Sequence, residues 1–515
     1  MKNVVLLAMW GVLVTAALAF QPLPAQAGGT VGNGNPASCT ASALRTRLAG
    51  GGLVTFNCGP VPVTIIISPT DVISLDTTIE GGGVITLSGN SQTSIFDIQG
   101  GRVTLSGLTL RDGFGKGGGA VYNNGQLTVL NSRFVNNHAV AIAGAISSGA
   151  ALTITHTDFY SNSAGFDGGA IYATVNLAIH DSSFEFNRAE DGGAVLYNTN
   201  AGRAGRAGRA GPAAAAAGPR FTLDGSQFYS NTATIGRGGA ILNFGTTAIT
   251  NSDFQLSQSP LGGAVHNALD ASLTVENSRF VSNTTDQGVG GALLSLGHLV
   301  VNDSTFTGNS ALNGGRGGAL ALDSAGTALV MNSTFSGNSA LLGGGLVTSG
   351  TMTLSNTTLA GNGAFIGGGV DVLSGTLTVT NSTFTDNSGV FLFGASAIEN
   401  AGGLVKLKNT LVAGDSSNNC QGSLVSLGHN LDDGHTCGLN AGGDLTNTNP
   451  LLGPLAENGG PTLTAALLPG SPAINHGDNN GCPLLDQRGL LRIDGCDVGA
   501  FEFYAHRLLL PLIRR

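Results

Sequence analysis

An all-β solenoid is predicted by three features of the 515-residue sequence: a repeated phrase, alternating apolar residues and 82 glycines. The phrase Asn-Ser-x-Phe-x-x-Asn, or a close variant, occurs ten times, mostly at intervals of 24 to 29 residues. Apolar residues alternate before each phrase, as at Leu127 and Val129, and this period of two indicates strands with one buried face. Units of about 25 residues cannot close a core alone, so they are expected to stack. The chain is therefore predicted to be a right-handed parallel β-helix with three short strands per coil.

The first 27 residues are typical of a cleaved export signal. Lys2 supplies a positive charge, an uncharged apolar run extends from Val4 to Phe20, and Ala25-Gln26-Ala27 is a small-residue cleavage site. A retained membrane anchor is the alternative, but the apolar run is near the minimum for spanning and two prolines follow it. We expect cleavage after Ala27, a secreted or cell-surface bacterial protein, and no later membrane span.

The rest of the chain divides into four parts. Residues 28–100 are predicted to be an N-terminal lead-in and cap, 101–415 the repeats, 416–503 a C-terminal cap and 504–515 a tail. All six cysteines lie in the two caps and form three sequence-local pairs. We expect disulfides Cys39–Cys58, Cys420–Cys437 and Cys482–Cys496, although other connectivities remain open. Stapled caps would keep the ends of the stack from pairing with other molecules.

Two columns of like residues are expected inside the stack, because each coil sets equivalent positions above one another. The aromatic column comprises Phe134, Phe159, Phe184, Phe228, Phe254, Phe280, Phe306, Phe335 and Phe384, with Leu359 in one coil. The amide column comprises Asn137, Asn162, Asn187, Asn231, Asn283, Asn309, Asn338, Asn362 and Asn387, with Ser257 as the exception. The amides would form a ladder that satisfies backbone groups in the turns.

Two further features complete the repeat. A Gly-Gly-Ala-aliphatic phrase alternates with the Phe phrase and is interpreted as a turn that needs positive φ or close backbone approach. One interval is 44 residues long and contains the Ala-, Gly- and Arg-rich segment 199–219. Removing about 19 residues restores the period, so this segment is predicted to be a flexible loop inserted into one coil.

Two families resemble parts of this repeat architecture. The Gly-Gly-Ala-aliphatic and Phe-x-x-Asn phrases resemble those of bacterial polymorphic outer-membrane proteins, whose surface-exposed β-helices are associated with adhesion. Residues 419–502 are similar to the choice-of-anchor Q domain of secreted or surface β-helix proteins. Among the phrases that carry this similarity are Ser426-Leu427-Gly428-His429-Asn430-Leu431, Asp486-Gln487-Arg488-Gly489 and Cys496-Asp497-Val498-Gly499-Ala500-Phe501-Glu502. The resemblance implies a place at the cell surface.

A non-catalytic role in adhesion or polysaccharide binding is the function that these features favour. Aligned rows of Ser, Thr and Asn on the flat faces would meet a carbohydrate polymer or a partner on a cell surface. A nucleic-acid partner is not expected, because 31 acidic residues outnumber 22 basic ones and no basic stripe occurs.

The alternative is a polysaccharide lyase or hydrolase of the pectate-lyase-like β-helix type. In pectate lyases, acids on neighbouring coils bind calcium and an arginine or lysine removes a proton. The candidate residues here are Asp167, Asp191 and Arg237, directly before Gly-Gly in successive coils, with Arg188 nearby. Two adjacent carboxylates repel, so Arg237 would neutralise one, and Arg188 or a calcium ion the other. A structural charge ladder is the favoured interpretation of this column.

Calcium is also conceivable in the C-terminal cap, where nine acidic residues face only Arg488 and Arg492. No known calcium-loop motif is present in the sequence, so no cofactor is expected. We expect instead that Arg488 pairs with a nearby carboxylate.

Overall fold

The computed structural model describes residues 28–199, 220–286, 288–390, 394–415 and 418–504. The predicted export signal, most of the inserted segment and the tail after Tyr504 lie outside the described residues. Strands in three sheets pair in parallel from coil to coil, which confirms the predicted parallel β-helix.

The first sheet contains two strands from most coils. Its 30 strands are Gly29–Val31, Gly52–Phe56, Val63–Ile66, Thr77–Ser88, Arg102–Arg111, Gln126–Leu130, Arg133–Val135, Leu152–Thr155, Asp158–Tyr160, Leu177–His180, Ser183–Glu185, Arg220–Asp224, Gln227–Tyr229, Thr246–Thr250, Asp253–Gln255, Ser272–Glu276, Arg279–Val281, His298–Asn302, Thr305–Thr307, Thr327–Met331, Thr334–Ser336, Thr351–Ser355, Thr358–Ala360, Thr376–Thr380, Thr383–Thr385, Leu404–Lys408, Leu411–Ala413, Leu424–Ser426, Leu431–Asp432 and Leu445–Thr446.

The second and third sheets contain one strand per coil. The second sheet has 14 strands: Asp71–Ile73, Phe96–Ile98, Val121–Asn123, Ile146–Ser148, Ile171–Ala173, Val195–Tyr197, Ile241–Asn243, Val265–Asn267, Leu293–Ser295, Leu320–Leu322, Leu346–Thr348, Val370–Val372, Ala395–Asn400 and Asn418–Gln421. The third is split into Phe114–Gly117, His138–Ile142, Ser163–Ala164, Arg188–Ala189 and Thr232–Ala233, then Thr284–Asp286, Ser310–Leu312, Ser339–Leu342, Gly363–Ile366 and Ser388–Gly389. Most coils thus contain four short strands, where the sequence predicts three, because the first sheet takes two strands from each coil and the other two sheets take one each.

A short helix packs against the N-terminal coil. After a 3-10 turn at Pro36–Ser38, the α-helix Ala41–Leu48 begins at Thr40, whose hydroxyl accepts a hydrogen bond from the N–H of Ala43. Leu44 and Leu48 of the helix are buried against the first strands. The disulfide between Cys39 and Cys58 ties this lead-in to the first coil.

The repeat phenylalanines form an interior column. All nine side chains are fully buried. The rings from Phe134 to Phe335 stack in near-parallel planes, with neighbouring centroids 4.6 to 4.9 Å apart. This distance is the rise of one coil, ~4.8 Å, so ring stacking and strand pairing share one spacing. Leu359 replaces a ring in the next coil and separates Phe384 from the stack.

The repeat asparagines form a buried amide ladder at the turn between the first and third sheets. Asn162 shows the pattern: its Nδ2 donates to the carbonyl of Phe134 at 2.9 Å and to Oδ1 of Asn187 at 3.0 Å. The backbone N–H of Asn162 also donates to the same Oδ1. Each amide therefore satisfies backbone groups that the turn would otherwise leave unpaired.

The ladder changes at two coils. Ser257 donates its N–H to Oδ1 of Asn283, but its hydroxyl is too short to take the place of an amide. The third sheet is split at this coil, where Gln258 makes only isolated bridges. At the C-terminal end, Asp415 occupies the ladder position and its Oδ1 accepts from the N–H of Asn387 at 2.6 Å. Burial of the carboxyl raises the pKa of Asp415 well above its ordinary value.

The Gly-Gly turns show both a positive φ and a close approach of the backbone, the two features that the sequence predicts for them. The first glycine has positive φ, for example 65° at Gly168. A Cβ on the second glycine, Gly169, would lie 1.9 Å from the carbonyl oxygen of Gly193 in the next coil. Only glycine therefore allows the coils to approach each other at this position.

The 44-residue interval does not interrupt the stack. Leu177–His180, before the inserted segment, pairs directly with Arg220–Asp224, after it. The rings of Phe184 and Phe228 stack at 4.7 Å, as in uninterrupted coils.

The C-terminal part first extends the stack and then turns back along it. Residues 418–446 add short strands to the first and second sheets, with the disulfide Cys420–Cys437. Residues 447–504, which we call the flank segment, lie against the side of the first sheet. Gln487 joins two coils, because its Nε2 donates to Oγ1 of Thr334 and its Oε1 accepts from Oγ1 of Thr358. The region predicted as a cap therefore covers a side of the stack.

A buried charge network holds the flank segment together. Arg488 pairs with Asp486 at 2.6 Å, and its guanidinium lies 3.6 Å from the ring centroid of Phe501. Arg492 pairs with Glu502 at 2.8 Å, and both side chains are almost fully buried. Burial, together with the carboxylate of Asp497, raises the pKa of Glu502 to about 7. The disulfide Cys482–Cys496 closes the same region.

Candidate functional site

The charged column before Gly-Gly contains one ion pair. Asp167 and Asp191 are bridge partners on adjacent coils. The guanidinium of Arg237 lies 3.2 Å from Oδ2 of Asp191, and the N–H of Arg237 donates to Oδ1 of Asp191 at 2.6 Å. The guanidinium also lies 5.2 Å from the ring centroid of Phe244. Arg237 thus neutralises one of the two carboxylates.

Asp167, the second carboxylate, forms no ion pair with any residue in the described ranges. Arg188 lies on the third sheet, in register with Ser163 and Thr232, and its side chain is exposed. Among the described residues, no ion pair joins Arg188 to Asp167. Burial, and then the charge of Asp191, raise the pKa of Asp167 to about 6. Below that pH a proton neutralises Asp167.

Carboxylates on neighbouring coils also meet on the second sheet. Asp371 is in register with Glu399 on the second sheet, and burial raises the pKa of Asp371 to about 7. Within the part of the chain that the structure describes, no three His, Cys, Asp or Glu side chains come together in a way that could hold a metal ion. A calcium ion prefers about six to eight oxygen ligands. Each acidic pair would therefore need several further oxygens to bind one.

Over its middle coils, the outer side of the second sheet is closed by its own side chains. The central residue of each strand points outward, yet Tyr172, Leu196 and Leu242 are buried and pack together with Phe244. The same column continues through His266, which is 2% exposed. Burial lowers the pKa of His266 to about 3, so this imidazole is neutral near pH 7. The charged column borders this apolar seam, which the sequence does not predict.

The structure also contains a column of small hydroxyl side chains that was not predicted from the sequence. It lies at the turn between the two first-sheet strands of each coil. The hydroxyl of Ser252 donates to the carbonyl of Thr250 at 2.7 Å and accepts from the N–H of Ser226 at 3.2 Å. The signal for this column is the Ser or Thr that directly follows the first residue of each repeat phrase. Its buried members are Ser132, Thr157, Ser182, Ser226, Ser252, Ser278, Ser304, Ser333, Thr357, Ser382 and Thr410.

Most coils contribute two strands to the first sheet, and in seven coils the second of these strands presents an open row of side chains. These outward side chains, which we call the track, are all exposed or half-buried. Seven coils at ~4.8 Å give a track about 29 Å long. Its residues are Arg133, Val135, Asp158, Tyr160, Ser183, Glu185, Gln227, Tyr229, Asp253, Gln255, Arg279, Val281, Thr305 and Thr307.

The track ends where the flank segment begins. In the next coils of the same column, Thr334, Thr358 and Thr383 are buried beneath that segment. A cleft of about 330 Å³ lies at the boundary, between Thr307 and Leu455. The flank segment therefore divides one face of the stack into an open part and a covered part.

Three exposed aromatic residues lie on or beside the track. The ring centroid of Phe186 is 5.5 Å from that of Tyr160 and 5.6 Å from that of Tyr229, with interplanar angles of 73° and 80°. Tyr160, Phe186 and Tyr229 are 41%, 45% and 39% exposed. The repeat pattern of the sequence does not single them out. The available signal is that Phe186 directly follows the second strand, where most other coils carry Asn, Ser, Gly or Asp.

Comparison with known proteins bears on the repeats. Residues 239–405 match a family model described as a right handed beta helix region. This match and the parallel pairing of coils show that the chain is a right-handed parallel β-helix. No curated protein matches the chain, and no solved structure matches it. None of the helices in the described ranges is long and apolar enough to cross a membrane.

Proposed function

We propose that this chain is an exported, non-catalytic β-helix that binds a carbohydrate polymer along the track, as an adhesion or polysaccharide-binding module. The observation that carries the proposal is the track itself. It offers amide, hydroxyl, carboxylate and aromatic groups in one open row, whereas the continuation of that row is covered by the flank segment.

The geometry of the stack suits an extended polymer. Equivalent track positions recur every ~4.8 Å along the axis, so a chain lying parallel to the axis meets a new set of side chains at each coil. Hydrogen bonds from Ser183, Gln227 and Gln255 can orient sugar hydroxyls, and the exposed rings can cover the C–H faces of sugars.

The N-terminal sequence and the disulfides support export. The first 27 residues have the three parts of a cleaved signal, and three disulfides suit an oxidising compartment. The similarity of residues 419–502 to the choice-of-anchor Q domain supports attachment at the cell surface.

The test is binding of the mature chain to a panel of immobilised neutral and acidic polysaccharides. Gln255→Arg with Val281→Arg places two bulky side chains on the track and should weaken binding of a neutral polysaccharide at least about tenfold. The matched control is Ala248→Arg with Thr274→Arg, at outward positions of the first strand in the same two coils. The control should bind as wild type. Equal weakening by both pairs, or wild-type chain that binds no polysaccharide, would refute the proposal.

A polysaccharide lyase or hydrolase is the second candidate, and the raised pKa of Asp167 favours it. A carboxyl group that titrates near pH 6 beside a guanidinium is a common feature of acid–base sites. We favour the non-catalytic function because Arg237 is already engaged by Asp191. Release of shortened or unsaturated sugar products by wild type, lost in Asp167→Asn, would decide for the enzyme.

A further inference from the structure

The backbone at Phe186 is the first sign of a specialised site. Phe186 has φ of 54°, in the left-handed region that bulky side chains rarely adopt. The equivalent positions have the same backbone but mostly small or polar residues: Asn136, Ser161, Ser230, Leu256, Ser282, Gly308, Gly337, Gly361, Asp386 and Gly414. Keeping a phenylalanine in this conformation is unfavourable, because its Cβ crowds the backbone in the left-handed region. The turn itself therefore gives no reason for a phenylalanine here.

Burial gives no reason for it either. The ring of Phe186 lies on the outer surface, between Tyr160 and Tyr229 on the neighbouring coils, and packs edge to face with both. All three rings keep about two-fifths of their surface open to solvent. A strained, exposed aromatic side chain held between two others is typical of a binding surface.

We propose that Tyr160, Phe186 and Tyr229 form a platform that holds a pyranose ring of a neutral polysaccharide. This inference rests on the proposed function and names the ligand class for part of the track. The C–H face of a pyranose packs against aromatic surface, while its hydroxyls need polar partners at the rim. Glu185, in register between the two tyrosines, and Gln227 beside Tyr229 supply them.

The carboxylate of Glu185 disfavours acidic sugars at the platform. Glu185 stands between Tyr160 and Tyr229 in the strand register, so a uronate bound there would meet a carboxylate of like charge. The nearest track cation, Arg133, is paired with Asp158 at 3.3 Å. A neutral hexose polymer meets no such repulsion. The platform thus differs in ligand class from the acidic substrates of pectate lyases.

Tyrosine fluorescence provides a direct readout. The single tryptophan of the sequence, Trp10, lies in the predicted signal, and two of the six tyrosines belong to the platform. The mature chain is titrated with neutral hexasaccharides of β-linked glucose or mannose, and with oligogalacturonate. We expect a saturable change with a neutral sugar and at least about tenfold weaker binding of the acidic one. Tighter binding of oligogalacturonate would overturn the proposed ligand class.

Phe186→Ser introduces the residue that the two neighbouring coils carry at the equivalent position, Ser161 and Ser230. Binding should fall at least about tenfold, while the melting temperature stays equal or rises because the strained ring is removed. Leu256→Ser is the matched control, since Leu256 is also bulky, exposed and at φ of 52°. The control should bind as wild type. Equal loss in both variants would overturn the platform in favour of a general apolar patch.

Glu185→Gln tests the charge argument separately. It should bring the affinity for oligogalacturonate to within about threefold of that for the neutral sugar. Persistent discrimination in this variant would refute the role of Glu185. If Phe186→Ser binds normally while Gln255→Arg with Val281→Arg does not, the platform fails and the proposed function stands. If no sugar binds to wild type, both fail.

Discussion

The open and the covered parts of the first-sheet face differ mainly in their outward residues. From Arg133 to Thr307 the outward positions hold Arg, Asp, Glu, Gln and Tyr among smaller residues, whereas the covered coils carry Thr334, Ser336, Thr358 and Ala360. The aromatic and amide columns continue inside both parts. Inward residues therefore encode the stack, and outward residues encode what lies against each part of it.

Interior substitutions should not distinguish the two parts. Phe280→Ala, in an open coil, and Phe335→Ala, in a covered coil, each remove a fully buried ring and should cost about 3–5 kcal/mol in the free energy of unfolding. Chemical denaturation measures both. A cost below about 1 kcal/mol for either variant would contradict a continuous interior column.

Outward substitutions should distinguish them strongly. Thr305 and Thr358 lie in the same column, but only Thr358 is buried beneath the flank segment. Thr358→Arg would bury an unpaired cation and should cost about 3 kcal/mol, so that the flank segment becomes sensitive to protease. Thr305→Arg should change stability by less than about 0.5 kcal/mol. Limited proteolysis with mass spectrometry tests the difference, and equal resistance of both variants would contradict the covered face.

The amide ladder lacks an asparagine at two positions, Ser257 in the open part and Asp415 at the C-terminal end. Asp415→Asn tests the second of these positions. Because burial raises the pKa of Asp415, the folded chain binds more protons than the unfolded chain above pH 3.8. This group's contribution to stability is therefore present at low pH and is lost as the pH rises. The melting temperature of Asp415→Asn should exceed that of wild type by an amount that grows as the pH rises above about 4. A constant difference would contradict a buried, protonated carboxyl.

Ser257→Asn tests the interruption in the open part. The new amide can accept from Asn231 and donate along the ladder, so the unfolding free energy should rise by about 0.5–1.5 kcal/mol, with no pH dependence. Thermal melts at two pH values measure this. A loss of stability would show that the pocket at Ser257 is too small for an amide.

The inward residues explain why the fold could be predicted from the sequence. Phe280 stacks on Phe254 and Phe306, so stacking favours the same residue at this position in each coil. The sequence therefore shows this residue as a repeat. The hydroxyl column was equally visible in the same phrase, but Ser and Thr are common in turns and carried no separate signal.

The outward residues explain why the site could not be predicted. Gln487 bonds to Thr358 across 129 positions of sequence, and no repeat links the two. Likewise, Tyr160 and Tyr229 lie at equivalent positions two coils apart, and Phe186 lies one residue further along the coil between them, so the three rings meet only after the coils stack. The position of Asp167 followed from the repeat, whereas the burial that raises its pKa depends on its neighbours in the folded chain.

Hydroxyl-radical footprinting of the mature chain with and without bound neutral polysaccharide tests the central claim most directly. Tyr122, on the second sheet, is an internal control because it is 42% exposed, close to the exposure of the platform rings. We predict that polymer protects Tyr160, Phe186 and Tyr229 from oxidation and leaves Tyr122 unchanged. Protection of Tyr122 without protection of the three platform rings would contradict binding on the track.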